Sequence, residues 1–332
     1  MKALLRVDGG RSVGMGHLVR THALGRALAQ REVSLLFATA SDEAERWLRA
    51  RSEEVVRIDA EPGSPADADT AARLARQWRA DTIVTDGHCF REAFLQALAD
   101  TGLPVASIDD LAVWPFPTAF VVNGGLGSRT LHYRTAPATR LLVGPEDLLL
   151  RPEFARPPAR FRPAVERVFL CFGGADPEDR TGRTVEAWSR LDDPPALDVL
   201  VGAAYPHLGC LSDRAARSRV RIHRDLDGPA VAGLMDACDL AIASAGMVAC
   251  ELAALGVPLV VAVASEDQRG NALALAQAGA GILPEPPTEA SLVEAAWRLL
   301  GDPERRHRQS RAARTLVDGK GSERVAAAIL RD

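Results

Sequence analysis

Short apolar runs and helical patterns take turns along most of this chain, and that alternation constrains its fold more than any other feature. In the first half, "KALLRV", "VSLLFAT", "TIVTD" and "PVASID" have the length and apolar content of buried strands. Between them lie "HLVRTHALGRALAQ", "SDEAERWLRARS" and "DTAARLARQWRA", and "REAFLQALADTG" separates the last two strands. Strands joined by helices of this length are parallel, with helices covering both faces of the sheet.

The texture changes at "LLLRPEFARPPARFRPAVE", where prolines and arginines crowd a short span. This reads as an interdomain linker starting near Leu150. Beyond it the alternation resumes. "RVFLCFGG", "ALDVLVG", "VRIHRD", "LAIASAG" and "PLVVAV" are strand candidates, with helical patterns such as "MVACELAALG" and "RGNALALAQAG" among them. The expectation is an α/β protein of two Rossmann-like domains, 1–150 and 151–332, with parallel sheets facing across a cleft. Clefts of this kind are where such folds bind ligands.

The 332 residues are 47% hydrophobic, enough to bury two cores. The formal net charge of -4 offers no broad basic field, so nucleic acid and anionic membranes are not expected as partners. There is no apolar stretch of spanning length, and Arg6 and Asp8 interrupt the first apolar run before it could act as a signal peptide. The five scattered cysteines show no metal spacing and read as reduced core residues of a cytoplasmic protein.

"RVDGGRSVGMGHLVR" is the first candidate site. Gly14 and Gly16 allow a tight turn and close approach to a ligand. His17 then falls in the first helical turn, where the positive end of the dipole disfavours imidazolium and suits a general base. The alternative is a packing or capping histidine. Asp8, the "DGH" of Asp86 to His88, and Asp109 with Asp110 each follow a strand of the same domain. In a parallel sheet these ends share one edge with His17. Asp8, Gly14, Gly16, Arg20, Asp86 and His88 are therefore expected on the substrate side.

The second site is "IASAGMVACELAALGVP". Ser244, Gly246 and the N–H groups of Met247 and Val248 open a helix directly after a buried strand, an arrangement that binds anions. Glu251, one turn on, is placed to accept the hydroxyls of a ribose. The alternative is a plain helix cap. "FGGADPEDRT" repeats the geometry, with Gly173 and Gly174 where backbone must lie against a ligand. In "VASEDQRGNALAL", Asp267, Gln268 and Asn271 crowd a strand-to-helix loop, suited either to sugar recognition or to capping. No Walker, HExxH, GxSxG or zinc pattern occurs, so neither metal nor cofactor is expected.

Taken together, "GxGHxxR" with Arg20 as its last residue, "VTDGH", "GPEDLLLRPEF", "FGGADP" and the "SAGMVACE" segment resemble the nucleotide-sugar hydrolases of pseudaminic acid biosynthesis and their spore-coat-polysaccharide relatives. That resemblance, which runs to about Gly281, implies the glycosyltransferase B fold. It implies His17 as the base that activates water at the anomeric carbon of a UDP-linked diacetamido sugar. It also implies UDP on the second domain, at Gly246, Met247, Val248 and Glu251. Two positions depart from the pattern. His88 stands where a tyrosine is common, and Asp267 where an asparagine precedes the glutamine. Replacing an amide by a carboxylate changes a donor into a charged acceptor.

The reaction expected is displacement of UDP from the sugar with inversion. Water is the first nucleophile to consider. An organic acceptor, in polysaccharide or natural-product biosynthesis, is the alternative. A non-catalytic nucleotide-sugar sensor is a third reading, and the intact His17 argues against it.

Overall fold

The computed structural model describes residues 1–10, 14–155, 161–215 and 219–331. Part of the glycine turn before Gly14 and the middle of the proline-rich linker lie outside the described residues. The chain divides into two compact units, Met1–Pro152 with Lys320–Asp332, and Glu153–Gly319.

Unit 1 contains strands β1 (Lys2–Val7), β2 (Ser34–Thr39), β3 (Val55–Arg57), β4 (Thr82–Asp86) and β5 (Val105–Ile108). They are connected in order by α1 (Gly16–Ala29), α2 (Asp42–Arg49), α3 (Pro65–Trp78) and α4 (Glu92–Ala99). A pair of two-residue strands, β6 (Pro115–Phe116) and β8 (Arg134–Thr135), stands apart from the main sheet. Two further strands, β7 (Phe120–Asn123) and β9 (Arg140–Val143), extend it to seven in the order β3-β2-β1-β4-β5-β7-β9. Every pairing in this sheet is parallel.

Successive side chains of β1 face opposite sides, as the period of a strand requires. Ala3, Leu5 and Val7 join the core beneath α1, while Leu4 joins the core beneath α3 and α4. Arg6 shares Leu4's face and is fully buried. It survives there because Asp67 of α3 accepts two hydrogen bonds from it at 2.8 Å, and Asp8 lies 2.8 Å away.

Unit 2 repeats the plan. Its six strands are β10 (Arg167–Cys171), β11 (Ala196–Val201), β12 (Val220–Arg224), β13 (Leu240–Ser244), β14 (Leu259–Ala262) and β15 (Gly281–Ile282). They are ordered β12-β11-β10-β13-β14-β15. The helices are α5 (Arg180–Trp188), α6 (Leu208–Ala215), α7 (Gly228–Asp236), α8 (Met247–Leu255), α9 (Arg269–Gln277), α10 (Glu289–Leu300) and α11 (Pro303–Leu316). Cys171, Cys238 and Cys250 are buried as expected, but Cys210 on α6 is exposed.

The sequence expectation that residues 151–332 form one domain needs correction at its end. A last helix, α12 (Gly321–Ile329), belongs to unit 1. Val325, Ala326, Ala328 and Ile329 are buried in the same core as Leu5 and Leu24. Ser322 Oγ donates to the Leu150 carbonyl at 2.9 Å. A side chain at Gly321 would meet the Leu148 backbone, with its Cβ 2.2 Å from the carbonyl oxygen. Among the described residues no helix is long and apolar enough to cross a membrane.

Candidate functional site

In each unit the strand order reverses at one place, and open α/β sheets bind ligands outside the strand ends at such a point. In unit 1 it lies between β1 and β4, where Val7 is in register with Asp86. In unit 2 it lies between β10 and β13, where Cys171 is in register with Ala243.

At the unit 1 switch point, Gly14 has φ +77° and its backbone bridges back to Gly10. That conformation favours glycine. Helix α1 then starts at Gly16, so His17 lies in the first turn. A Cβ added at Gly14 or Gly16 would meet nothing within 4 Å, so there is open space beside both.

His17 is held from beneath. Its Nδ1 is 2.7 Å from Asp86 Oδ1, at the end of β4. Asp86 is fully buried and can only accept when ionised, so Nδ1 carries a hydrogen, and in the neutral ring the lone pair falls on Nε2. Arg20 clamps the same carboxylate with both prongs, Nε to Oδ2 at 2.7 Å and Nη2 to Oδ1 at 2.6 Å. The Nη2 atom also lies 3.0 Å from His17 Nδ1, because both donors converge on Oδ1. Thr21 Oγ1 adds a bond to Oδ2 at 2.9 Å. Burial opposes ionisation of Asp86, but Arg20 and His17 outweigh it and hold its carboxyl below the usual carboxylate range.

The remaining prong of Arg20, Nη1, donates to Asp110 Oδ1 at 2.6 Å. His88 Nε2 approaches the other oxygen of Asp110 at 3.2 Å. Burial again opposes ionisation, and Arg20 and His88 overcome it, so the Asp110 carboxyl lies well below its ordinary value. The His88 ring stands edge-on to His17, with centroids 4.6 Å apart. Strand ends, α1 and two loops thus bring His17, Arg20, Asp86, His88 and Asp110 into one network.

Other sequence candidates are used differently. The Asp8 carboxylate is taken by Arg6, by Thr39 Oγ1 at 2.8 Å and by the Ala40 N–H at 2.7 Å. Asp109 accepts from the N–H groups of Leu111 and Ala112 and from the Tyr133 hydroxyl, so it secures its own loop. His17, His88 and Asp110 each offer a ligand atom, all within 4.8 Å of one another, which is spacing that could hold a metal ion. Arg20 already supplies positive charge to that carboxylate, which weakens the case for a divalent cation there.

Unit 2 has two helix starts at its switch point, and they differ. The first turn of α5 is closed. Asp176 accepts from the N–H groups of Arg180 and Thr181, and Asp179 accepts from that of Gly182. The start of α8 has no side-chain cap: Gly246 is the N-cap residue, and Met247 and Val248 follow. The repeat of an anion-binding helix start expected at "FGGADPEDRT" is thus filled by the protein's own carboxylates. Gly173 (φ +99°) and Gly174 still face open space.

The late loop is tied to the open start. Gln268 Oε1 accepts from the Ala264 N–H at 3.2 Å, and its Nε2 lies so near Gly246 that an added Cβ would stand 3.2 Å away. Asn271 Nδ2 donates to the Ala245 carbonyl at 3.1 Å. Asp267 is exposed beside them. Ser244 is buried at the end of β13, and Glu251 is buried in α8.

Two parallel-sheet units of this kind define the glycosyltransferase B fold. The chain superimposes over 100% of its length on 99% of Acinetobacter baumannii MurG, at 16% identity and a TM-score of 0.70. It superimposes equally fully on Anabaena HepE in complex with UDP-glucose, at 16% identity and a TM-score of 0.66. Residues 229–326 match the glycosyltransferase family 28 C-terminal domain. In sequence the chain is 26% identical to the spore coat polysaccharide biosynthesis protein SpsG of Bacillus subtilis, covering 98% of this chain and 96% of that one. It is also 26% identical to protein MJ1062 of Methanocaldococcus jannaschii over 81% of its own length, but spans only 57% of that relative.

Proposed function

We propose that the protein is an inverting, nucleotide-sugar-utilising enzyme in which His17 is the general base. The observation that carries this reading is the Asp86–His17 contact, which fixes one ring nitrogen and frees the other. The nucleophile's oxygen attacks the anomeric carbon as Nε2 takes its proton. The anomeric C–O bond breaks and UDP departs with the bonding pair. One displacement inverts the centre. We assign the diphosphate to the open start of α8, where the Met247 and Val248 N–H groups meet its growing charge. Glu251 is assigned to the ribose, and Gln268, Asn271 and Asp267 to the sugar side of the same unit. Gly14, Gly16, Gly173 and Gly174 give backbone close approach.

The family 28 match over 229–326 and the HepE likeness, a protein crystallised with UDP-glucose, support a UDP-sugar donor. They favour transfer to an organic acceptor. The likeness to SpsG, a spore coat polysaccharide biosynthesis protein, supports polysaccharide biosynthesis as the setting. Hydrolysis of a UDP-linked acetamido sugar is the second reading. It rests on the combination of "GxGHxxR", "GPEDLLLRPEF" and "FGGADP" that resembles the pseudaminic acid hydrolases.

Incubation with UDP-sugars, with and without alcohol or saccharide acceptors, separates the two. UDP release that requires an acceptor supports transfer. Release in water alone, with free inverted sugar, supports hydrolysis. Binding of UDP-sugars without any turnover would defeat both.

A further inference from the structure

The charges around His17 do not balance with Arg20 alone. Asp86 and Asp110 bring two negative charges, and Arg20 brings one positive charge to both. One further positive charge completes the set, and two histidines compete for it at a centroid separation of 4.6 Å. Two imidazolium rings at that distance repel each other.

Geometry separates the two rings. His88 touches Asp110, whose other oxygen is held by Arg20. His17 touches Asp86, which already takes two prongs of Arg20 and the Thr21 hydroxyl. The charged and titratable groups around His88 are Asp110, Arg20, Asp86 and His17. We propose that His88 is a positioning residue for the base: as imidazolium it completes the charge of the Asp110–Arg20–Asp86 chain and leaves His17 the neutral ring. This inference rests on the reading of His17 as base.

The His88–Asp110 contact raises the proton affinity of His88 above the ordinary histidine value, against a smaller opposing effect of burial. A raised value means that the imidazolium is present at lower pH and is lost as pH rises through it. The positioning effect is therefore lost on the alkaline side.

The test uses the full chain with ¹⁵N-labelled histidine and no ligand, followed by NMR against pH. His88→Gln, which keeps a donor but cannot carry charge, identifies the ring signal. His88 should stay doubly protonated to higher pH than the other histidines do. His88→Gln should also lower kcat on the order of tenfold, leave the donor KM near its original value, and remove the alkaline limb of the pH–rate profile. A neutral His88 near pH 7 overturns the proposal. So does a charged His88 whose replacement by glutamine leaves the pH profile unchanged. The NMR result needs no turnover, so it stands apart from the base reading, which His17→Ala tests by itself.

Discussion

Asp86 Oδ1 lies 2.7 Å from His17 Nδ1, and the residue that supplies this carboxylate closes the strand next to the one that leads into His17. The His17 ring is thus oriented by the sheet itself. His17→Ala should lower kcat by about 10²–10⁴, the range for a lost general base. Binding of UDP by calorimetry should stay nearly the same, because its proposed contacts are in unit 2. Near-normal turnover in the folded variant would remove His17 from the mechanism.

Glu251 is buried in α8 one turn beyond the uncapped start. Glu251→Ala should weaken UDP binding by about 1–3 kcal/mol, the scale of a hydrogen bond to a charged group. Circular dichroism confirms the fold, and unchanged UDP affinity would take Glu251 out of the ribose site.

Arg20 joins two carboxylates that the fold keeps ionised. Arg20→Met leaves the fully buried Asp86 carboxylate without its guanidinium and should destabilise the protein by about 1–3 kcal/mol, the cost of a buried group left short of its partner. Both Asp86 and Asp110 have carboxyl groups held below their unfolded value, about 3.9. Their contribution is present above that value and lost as pH falls through the lower folded values. The Tm gap between wild type and Arg20→Met should therefore hold from pH 7 to about pH 5 and narrow below that, as acidification proceeds towards about pH 3. A gap that stays constant would show that the carboxylates are not the partners that matter.

With Arg20 already on Asp110, turnover should be insensitive to chelators. Activity abolished by EDTA and restored by one particular divalent ion would assign the His17–His88–Asp110 trio to a metal instead.

Ile329 of α12 is 2% exposed, within the core of unit 1. Ile329→Ala should cost about 2–5 kcal/mol. If unit 1 melts separately, calorimetry should show its transition lowered and that of unit 2 unmoved. A shift confined to unit 2 would contradict the placement of this helix.

The strands of both sheet centres are legible in the sequence because strands buried on both faces read as unbroken apolar runs. β7 and β9 are not, since no helical pattern separates them and glycines and prolines surround them. The pattern of α12 shows at most that one face is apolar. It carries no sign of which core receives that face. At the site, the meeting of His17, Asp86, His88 and Asp110 follows from parallel strands ending on one edge. The clamp made by Arg20 was signalled by its spacing of three residues from His17, which puts both on one helix face. The use of Asp8 by Arg6 was signalled too. An arginine within an apolar strand needs a buried carboxylate, and the sequence offers one two residues away.

The return of α12 also bears on the order of folding during synthesis. Domains ordinarily fold as they emerge, the first-made part first. Here the core of unit 1 includes Val325 to Ile329, which follow the unbroken stretch Glu153–Gly319 in the chain. The core of unit 1 is thus complete only after the whole of unit 2 has been translated. A fragment ending at Gly319 would keep the whole of unit 2 but would leave uncovered the side of α1 that packs against α12.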